Sequence, residues 1–509
     1  MSVLNFVYRK NGVCCRDGWT EETSGVDDSG DGIHGGLDAP VLAAAGRRGV
    51  LLSAGRPVAV VVGGGASGTL AATALLERTR ADVIVVEPRP RLGRGVAYST
   101  PDPLHRLNVP AGSMSAYPDD PGHLLRWLAQ RGAGHDGAFS FPRRSEYGVY
   151  LAETLRDAAD RSSARLAHLR DTVAGLDRRA GAWRARLASG RDLAADLVVL
   201  AVGGTRAPGT AGWADALRAD PRYVDDPWAE DAITQLPDAP VLCVGTGLTA
   251  VDVALSATEW SRCASVVAVS RHGLRPVAHR VDGAPAWSPR LAAGRPATAL
   301  GLLRAARAEV ALATARGLDW RDVINGLRPS VPALWAALPD HERERFASRL
   351  GRYWDVHRHR LAPDIAQRVG GLERSGRLRF EAATVARVEH ADRALRVVLR
   401  HPDASTSRVV VAAVVNCTGR SVDVADHPLL ANLHAAGLCR RGSAGLGIAC
   451  DPTGRVLGAS GDVTGLMALG PLRRGDVWES TAVPEIREQA FTLAAAVRGR
   501  RSNLARMAG

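Results

Sequence analysis

The chain has 509 residues, of which 46% are hydrophobic and 23% are charged, as is ordinary for globular proteins. This length allows two or three domains and a sizeable core. The formal net charge is +12, but Lys10 is the only lysine, the arginines are scattered, and aromatic residues make up only 5%. We therefore expect no nucleic-acid partner, because neither a basic stripe nor an aromatic stacking surface is present.

The sequence also argues against membrane and metal partners. No apolar stretch approaches the ~20 residues that span a bilayer. The start of the chain, MSVLNFVYRKNGVCC, lacks the apolar core of a secretory signal, so we expect a cytoplasmic location. The seven cysteines include no C-x-x-C pair, which argues against a flavin–disulfide reductase and against a zinc site. We expect no bound metal.

Residues 1–55 come first and are polar and glycine-rich in patches such as SGVDDSGDGIHGG. They have no sustained hydrophobic period, so they predict a flexible N-terminal extension.

A first glycine fingerprint follows in VAVVVGGGASGTLAATALL. Gly63, Gly65 and Gly68 stand between an apolar run and a helix-like segment. A strand, a tight turn and a helix start in this order let backbone N–H groups approach a pyrophosphate. The next apolar segment, ADVIVVEPRP, ends in Glu87, where a carboxylate accepts hydrogen bonds from a ribose, as in FAD or NAD.

The segment LNVPAGSMS follows this first nucleotide-binding unit. Its Asn108 is a candidate catalytic and cofactor-binding residue, because its amide can hydrogen-bond the flavin or an oxygen atom bound to it. The alternative is a turn-forming asparagine before Val-Pro.

A second fingerprint lies in APVLCVGTGLTAVDVAL, at Gly245, Gly247 and Ala250. The strand that follows, ASVVAVSRHG, ends in Ser270 and Arg271 and has no acid there. A guanidinium pairs with a 2′-phosphate that a carboxylate would repel, so this site predicts NADP. The alternative is that Arg271 is an ordinary surface arginine.

Each fingerprint is followed by a short β-meander and an apolar strand that ends in glycine. The first such region runs over residues 172–204 and the second over residues 383–419. This duplication predicts two domains of similar architecture.

Residues from about 284 to about 376 have helical periodicity and few strand signals. We expect a helical insertion in the second domain. Within it, WDVHRHR places His357 and Arg360 at i and i+3, on one helix face. That face can bind a substrate carboxylate or a cofactor phosphate; the alternative is a surface ion network with Asp355. Three arginines of the insertion are candidate partners for a substrate carboxylate: Arg352, Arg358 and Arg360.

The predicted fold is α/β, with two Rossmann-like dinucleotide-binding domains, one for FAD and one for NADP, β-meanders and a helical insertion. The FAD-binding domain comprises residues 56–235 and 418–509, because the chain returns to it at the end. The NAD(P)-binding domain comprises residues 236–417.

Blocks across the chain resemble a bacterial FAD/NAD(P)-binding family of two-dinucleotide-domain flavoproteins. They include VVVGGGASGTL, RLGRGVAYST, HRLNVPAGSMS, VGTGLTAVDVAL, WDVHRHR and LGPLRRGDVWESTAVPEIREQA. More distantly, the chain is similar to flavin-dependent N-hydroxylating monooxygenases. The resemblance implies FAD bound at the first fingerprint and NAD(P)H at the second.

Two segments compete for the last strand before the flavin. VLGASGDV offers Gly461 and Asp462, a carboxylate that can hold the ribityl chain or the pyrophosphate. LMALGPL offers Gly470, where backbone N–H groups near Arg474 would bind instead. The blocks of the resembling family favour the second segment.

Together, these patterns predict an enzyme in which NADPH reduces FAD. The reduced flavin reacts with molecular oxygen to form a peroxyflavin, which oxygenates the amine of a small amino-acid-like substrate in secondary metabolism. The alternatives are a flavin reductase that serves a partner protein and a non-catalytic dinucleotide sensor. The sequence is compatible with an oligomer.

The full set of candidate cofactor-binding residues is Gly63, Gly65, Ala66, Ser67, Gly68, Glu87, Gly95, Asn108, Gly245, Gly247, Ser270, Arg271, Gly419, Asp462 and Gly470.

Overall fold

The computed structural model describes residues 55–132, 137–179, 181–206, 212–261, 263–280, 287–291 and 298–507, with side chains up to residue 498. The predicted N-terminal extension lies outside the described residues, apart from its last residue.

The strands of the described residues lie in two large parallel sheets, two antiparallel meanders and one short pair. Their bounds are β1 Val58–Val62, β2 Asp82–Val86, β3 Leu166–Leu169, β4 Val173–Arg179, β5 Ala182–Leu187, β6 Asp192–Ala195, β7 Leu197–Leu200, β8 Thr205–Arg206, β9 Tyr223–Val224, β10 Val241–Val244, β11 Val266–Ser270, β12 Leu378–Ala382, β13 Thr384–Ala391, β14 Ala394–Arg400, β15 Thr406–Val411, β16 Ala413–Asn416, β17 Arg420–Ser421, β18 Arg455–Gly458 and β19 Gly461–Ala468.

The α-helices lie between these strands or follow the last of them. Their bounds are α1 Ala66–Arg78, α2 His123–Gln130, α3 Arg144–Arg161, α4 Gly212–Leu217, α5 Leu248–Glu259, α6 Ala299–Thr314, α7 Trp320–Leu327, α8 Val331–Ala337, α9 Asp340–Arg345, α10 Gly351–Arg358, α11 Pro363–Arg374, α12 Pro428–Ala435 and α13 Val483–Met507. None of the described helices combines the length and the apolar composition needed to cross a membrane.

The first sheet has the order β18-β19-β7-β1-β2-β3, and all its neighbours are parallel except the β18–β19 hairpin. Its central strands are continuous apolar runs, as expected where both faces of a parallel sheet are covered. Helices α1, α3 and α13 pack on one face. The β4–β6 meander and α12 pack on the other. The last strands, β18 and β19, therefore return the chain to the first sheet.

The second sheet is entirely parallel, in the order β12-β11-β10-β16-β9. Helices α5 and α11 cover one face, and the β13–β15 meander covers the other. Strand β9 lies within the range assigned to the first domain, yet it pairs with β16. The second sheet thus includes a strand that precedes residue 236. The sequence did not predict this strand, because two residues are too few to show a strand pattern. The prediction of two Rossmann-like units with meanders is confirmed.

The predicted helical segment divides into two parts. Helices α6 to α10 pack around two apolar clusters that contain Trp287 and Trp335, and the second cluster also includes Trp478 and Leu446 of the first unit. Helix α11, by contrast, buries Ile365 and Val369 in the core of the second sheet and leads directly into β12. It is therefore the crossover helix of that unit, and the added segment is α6 to α10. No strand occurs in the described part of the chain between β11 and β12.

Candidate functional site

The first fingerprint forms a tight turn between β1 and α1. Gly63 has a φ of +101°, and a Cβ atom there would lie 2.6 Å from the Ala201 carbonyl oxygen. A Cβ atom at Gly68 would lie 1.8 Å from the Gly63 carbonyl oxygen. Both positions require glycine, because any side chain would collide with backbone. The turn thus places the start of α1 directly against the end of β1.

The N-terminus of α1 is open to an anion. Gly65 is its N-cap residue, and the first turn, which begins with Ala66 and Ser67, has neither a capping side chain nor an acid. Gly95 faces this turn so closely that a Cβ atom on it would lie 3.0 Å from the Gly65 Cα. Free backbone N–H groups at a helix N-terminus favour a phosphate. These features fit the pyrophosphate of a dinucleotide.

Glu87 lies at the end of β2 and reaches back to this turn. One carboxylate oxygen accepts a hydrogen bond from the Gly64 N–H at 2.8 Å, and the other accepts one from the Arg89 N–H at 3.2 Å. The residue is 8% exposed. A carboxylate at the end of the strand next to the fingerprint is where a ribose is bound in such units. The geometry therefore keeps Glu87 as the candidate ribose ligand.

The last strand of the first sheet distinguishes the two competing segments. β19 runs parallel to β7 and ends at Ala468. A Cβ atom at Gly470, just beyond it, would lie 2.5 Å from Ser67 Oγ, so Gly470 borders the N-terminus of α1. Asp462 is exposed in the hairpin at the other end of the strand, ~20 Å away at the rise of an extended chain. This placement corrects the expectation that Asp462 contacts the flavin.

The second fingerprint repeats the turn between β10 and α5. Gly245 has a φ of +121°, and a Cβ atom there would lie 2.2 Å from the Cys417 carbonyl oxygen. Gly247 is the N-cap residue of α5, which has no capping side chain and no acid in its first turn. A Cβ atom at Gly247 would meet nothing within 4 Å. This helix end is therefore also open, and Gly419 lines the cavity beside it.

The neighbouring strand β11 ends in a polar and basic group. Ser270 Oγ lies 2.8 Å from Thr246 Oγ1, and the side chains of Arg271 and His272 follow at the exposed end. His272 Nε2 lies 2.7 Å from Nη1 of Arg352, which belongs to α10. The strand thus ends without the carboxylate that the first unit has in the corresponding place.

One cavity of about 950 Å³ lies between the two units, bordered by the second fingerprint and by other residues of the first unit. Asn108 lines it, and its backbone carbonyl accepts a hydrogen bond from His279 Nε2 at 3.0 Å. Its side-chain amide has no partner among the described residues, so it remains a candidate ligand-binding group. Burial raises the pKa of Tyr98, another wall residue, to about 12. The first unit contributes Tyr98, Asn108, Val109, Met114 and Val483, and the second contributes Gly245, Gly247, Ser270, Arg271 and Gly419.

Helix α10 and the residue that follows it form a third wall of the cavity. Arg352, Asp355, Val356 and His359 line it, at spacings that place them on one helical face. Asp355 is paired with Arg474 of the first unit at 3.2 Å. Burial and the nearby Arg358 guanidinium lower the pKa of His359 to about 4, so its imidazole is neutral near pH 7. The charged groups that α10 adds to this wall are therefore Arg352 and Asp355.

Arg360 does not line the cavity. It is 1% exposed, and its guanidinium donates to the His357 carbonyl oxygen at 2.7 Å and to Asn325 Oδ1 at 3.1 Å. Helix α10 ends at Arg358, so the helical spacing that placed His357 and Arg360 on one face does not apply. This corrects the expectation that Arg360 meets a substrate, because a buried backbone carbonyl and an amide already hold it.

Arg358 is also buried and serves as an anchor for α10. Its Nε lies 3.2 Å from Glu479 Oε2, and its Nη2 lies 3.7 Å from Glu485 Oε1. Trp354 Nε1 donates to the other oxygen of Glu479 at 2.6 Å. Glu479 and Glu485 belong to the segment that follows the first sheet. Arg358 therefore ties the insertion to the first unit and does not line the cavity.

The two units are held edge to edge by polar contacts of α5. Ser256 of α5 is hydrogen-bonded to Asp102, and its Oγ lies 2.9 Å from His105 Nε2. Asp252 pairs with Arg144 of α3 at 2.7 Å. These contacts hold the second fingerprint and the cavity beside it against the first unit. In the described part of the chain, no group of three or more His, Cys, Asp or Glu side chains is arranged to hold a metal.

Fold and site together define a flavoprotein with two dinucleotide-binding domains. Residues 60–205 match a family model described as FAD-NAD(P)-binding. The match extends from β1 to the start of β8 and so includes the first fingerprint, Glu87 and the first meander. No curated protein sequence matches the chain.

Solved structures of similar fold include two ornithine hydroxylases and a cadaverine monooxygenase. The reduced ornithine hydroxylase from Pseudomonas aeruginosa is 17% identical, with a TM-score of 0.60 over 87% of this chain and 99% of that one. The ornithine N-hydroxylase of Kutzneria sp. 744 is 14% identical, with a TM-score of 0.61 over 88% and 100%. The cadaverine monooxygenase of Erwinia amylovora is 12% identical, with a TM-score of 0.61 over 87% and 95%. These likenesses show that the whole architecture is shared.

Proposed function

We propose that the protein is an FAD-dependent monooxygenase that uses NADPH and O₂ to hydroxylate the amine of a small amino-acid-like substrate. The observation that carries the proposal is the shared cavity. The second fingerprint borders it, and the first unit contributes Tyr98, Asn108 and Met114 to its wall, so a nicotinamide bound at the second unit can meet a flavin held by the first. The comparisons support this proposal, since the three similar structures described above are named as two ornithine hydroxylases and a cadaverine monooxygenase.

The residues of the first unit are suited to hold FAD at one edge of this cavity. The open N-terminus of α1 would bind the pyrophosphate, with Gly95 and Gly470 allowing a close approach, and Glu87 would bind the ribose. Bound FAD supplies the redox chemistry, taking a hydride from NADPH and activating O₂. The chain's own part is to bind, to orient and to exclude water.

The overall reaction balances with one substrate amine. NADPH and a proton supply two electrons and two hydrogens; one oxygen atom is bound to the amine nitrogen, and the other leaves as water. The substrate amine must be neutral to react. Burial keeps the imidazole of His359 neutral, so this residue adds no positive charge to the cavity wall. Arg474 lies in the cavity wall, paired with Asp355 at 3.2 Å; since a guanidinium has five N–H donors, it can bind a substrate carboxylate while it stays paired.

A screen of small amines tests the reaction. With L-ornithine, L-lysine and cadaverine as probes, we expect at least one to increase NADPH oxidation and to yield a hydroxylamine. The hydroxylamine should form in a fixed ratio to the NADPH consumed. Oxidation that yields only hydrogen peroxide with every amine, together with rapid electron transfer to a protein partner, would favour a reductase instead.

Replacing Arg271 with alanine should weaken NADPH binding more than NADH binding. The change removes a charge-assisted contact that only the 2′-phosphate can make, worth about 1.5–3 kcal/mol, or ~10-fold to 100-fold in affinity. The affinities follow from the rates of flavin reduction at increasing cofactor concentration. Arg368→Ala, an exposed arginine of α11 outside the cavity wall, is the matched control and should leave both unchanged. Equal weakening of the two cofactors by Arg271→Ala would make Arg271 a surface residue without a role in cofactor choice.

A further inference from the structure

A second arginine lies at the end of β11, and it comes from the helical insertion. Arg352 is in the first turn of α10. Its Nε and Nη2 donate to the carbonyl oxygens of Arg349 and Ser348, at 3.2 and 2.9 Å, while Nη1 lies 2.7 Å from His272 Nε2. The guanidinium is thus held by backbone on one side and by the imidazole on the other, in the wall of the cavity.

This group of cationic side chains lacks a counter-charge. Neither Arg271 nor Arg352 is paired with a carboxylate of the described residues. The nearest acid on the same face of α10, Asp355, is occupied by Arg474. The imidazole of His272 links Arg271 and Arg352, because His272 follows Arg271 directly in the chain and its Nε2 lies 2.7 Å from Arg352 Nη1. Partial burial, with Arg352 and Arg271, lowers the pKa of His272. Two uncompensated arginines around one imidazole favour an anion with more than one charge.

We propose that Arg352 is a second ligand of the 2′-phosphate of NADPH, so that the choice of NADPH is shared between the end of β11 and the helical insertion. The inference rests on the proposed function and extends it to a residue more than eighty positions beyond the end of β11. His272 acts as a positioning residue, since its Nε2 holds the Arg352 guanidinium beside Arg271. The contacts of the Arg352 guanidinium with His272 and with the carbonyl oxygens of Ser348 and Arg349 distinguish it from an isolated surface arginine.

Helix α10, which carries Arg352, is anchored to the first unit. At the other end of the helix, Arg358 is buried against Glu479, and Asp355 is paired with Arg474. A phosphate between Arg271 and Arg352 would therefore connect the second unit with a helix that is fastened to the first. Binding of NADPH then stabilises the contact between the second unit and α10.

Binding of two nucleotides to the FAD-loaded protein tests the inference without turnover. Isothermal titration is carried out with adenosine 2′,5′-bisphosphate, which carries the 2′-phosphate, and with 5′-AMP, which lacks it. We expect Arg352→Gln to weaken the bisphosphate ~10-fold to 100-fold, the effect of losing a charge-assisted contact, and to leave 5′-AMP unchanged. Arg349→Gln removes the same charge from an exposed residue outside the cavity wall and should behave as the wild type.

The outcomes separate this inference from the proposed function. If wild type prefers the bisphosphate and Arg352→Gln retains that preference in full, Arg352 is not a ligand and the inference is overturned. If Arg352→Gln weakens both nucleotides equally, its role is structural and the inference is likewise overturned. If the wild type itself binds both nucleotides equally, the choice of NADPH in the proposed function fails together with the inference.

Discussion

Replacing Gly65 with valine should yield colourless protein that has lost FAD. The backbone at Gly65 is extended, with a φ of −70°, so valine can adopt it, but its side chain would occupy the space before the N-terminus of α1. A Cβ atom there already lies 3.3 Å from the Gly95 Cα, so the branched side chain would fill the space between Gly95 and the helix end, where the pyrophosphate would bind. The measurement is flavin absorbance per protein after purification.

Gly247→Val provides a matched control, because it places the same side chain in the second fingerprint. A Cβ atom at Gly247 meets nothing within 4 Å, so the protein should fold and remain yellow. Its flavin should no longer be reduced by NADPH, whereas dithionite should still reduce it. Full FAD occupancy in the Gly65 variant would rule out the assignment of FAD to the first fingerprint.

Arg358→Met should cause the largest loss of stability among the arginines of α10. The Arg358 side chain is 7% exposed and that of Glu479 is 3% exposed, so the change leaves a buried carboxylate without its cation. Breaking a buried pair in this way costs about 3–5 kcal/mol. Urea unfolding followed by circular dichroism should show a clearly lower midpoint, with fluorescence of released FAD as a second signal.

A second substitution distinguishes charge from packing in this result. Adding Glu479→Gln to Arg358→Met removes the unpaired charge and keeps the acceptor for Trp354 Nε1. Much of the lost stability should therefore return. A midpoint unchanged by Arg358→Met would show that the pair does not hold α10 to the first unit. A double variant as unstable as the single one would show that the loss comes from packing alone.

The dinucleotide sites could be predicted from sequence because their geometry is local. A buried strand, a turn that requires Gly63 and a helix that begins at Ala66 are contiguous in the chain, and the structure has all of them. The meanders could also be predicted from sequence, because their alternating apolar and polar residues and the turns between their strands are contiguous in the chain. The recognition of a two-domain flavoprotein is confirmed on this basis, since these local units repeat within one chain.

The charged groups of the cavity could not be predicted in the same way, because they depend on contacts between distant segments. Arg358 and Arg360 follow a polar run that indicated a surface helix, yet the first is paired with Glu479 and the second is held by Asn325. The pairing of Asp355 with Arg474 joins residues more than one hundred positions apart. The position of Asp462 depended on strand direction, which only the pairing of β19 with β7 reveals.

The most direct test of the central claim is the fate of molecular oxygen. The FAD-loaded protein is incubated with NADPH, an amine that stimulates its oxidation, and oxygen-18 gas, and the product is analysed by mass spectrometry. We predict a hydroxylamine that contains one oxygen-18 atom, with product and consumed NADPH in nearly equal amounts. Oxidation of NADPH that returns all of the oxygen-18 as hydrogen peroxide, with no labelled amine product, would contradict the assignment as a monooxygenase.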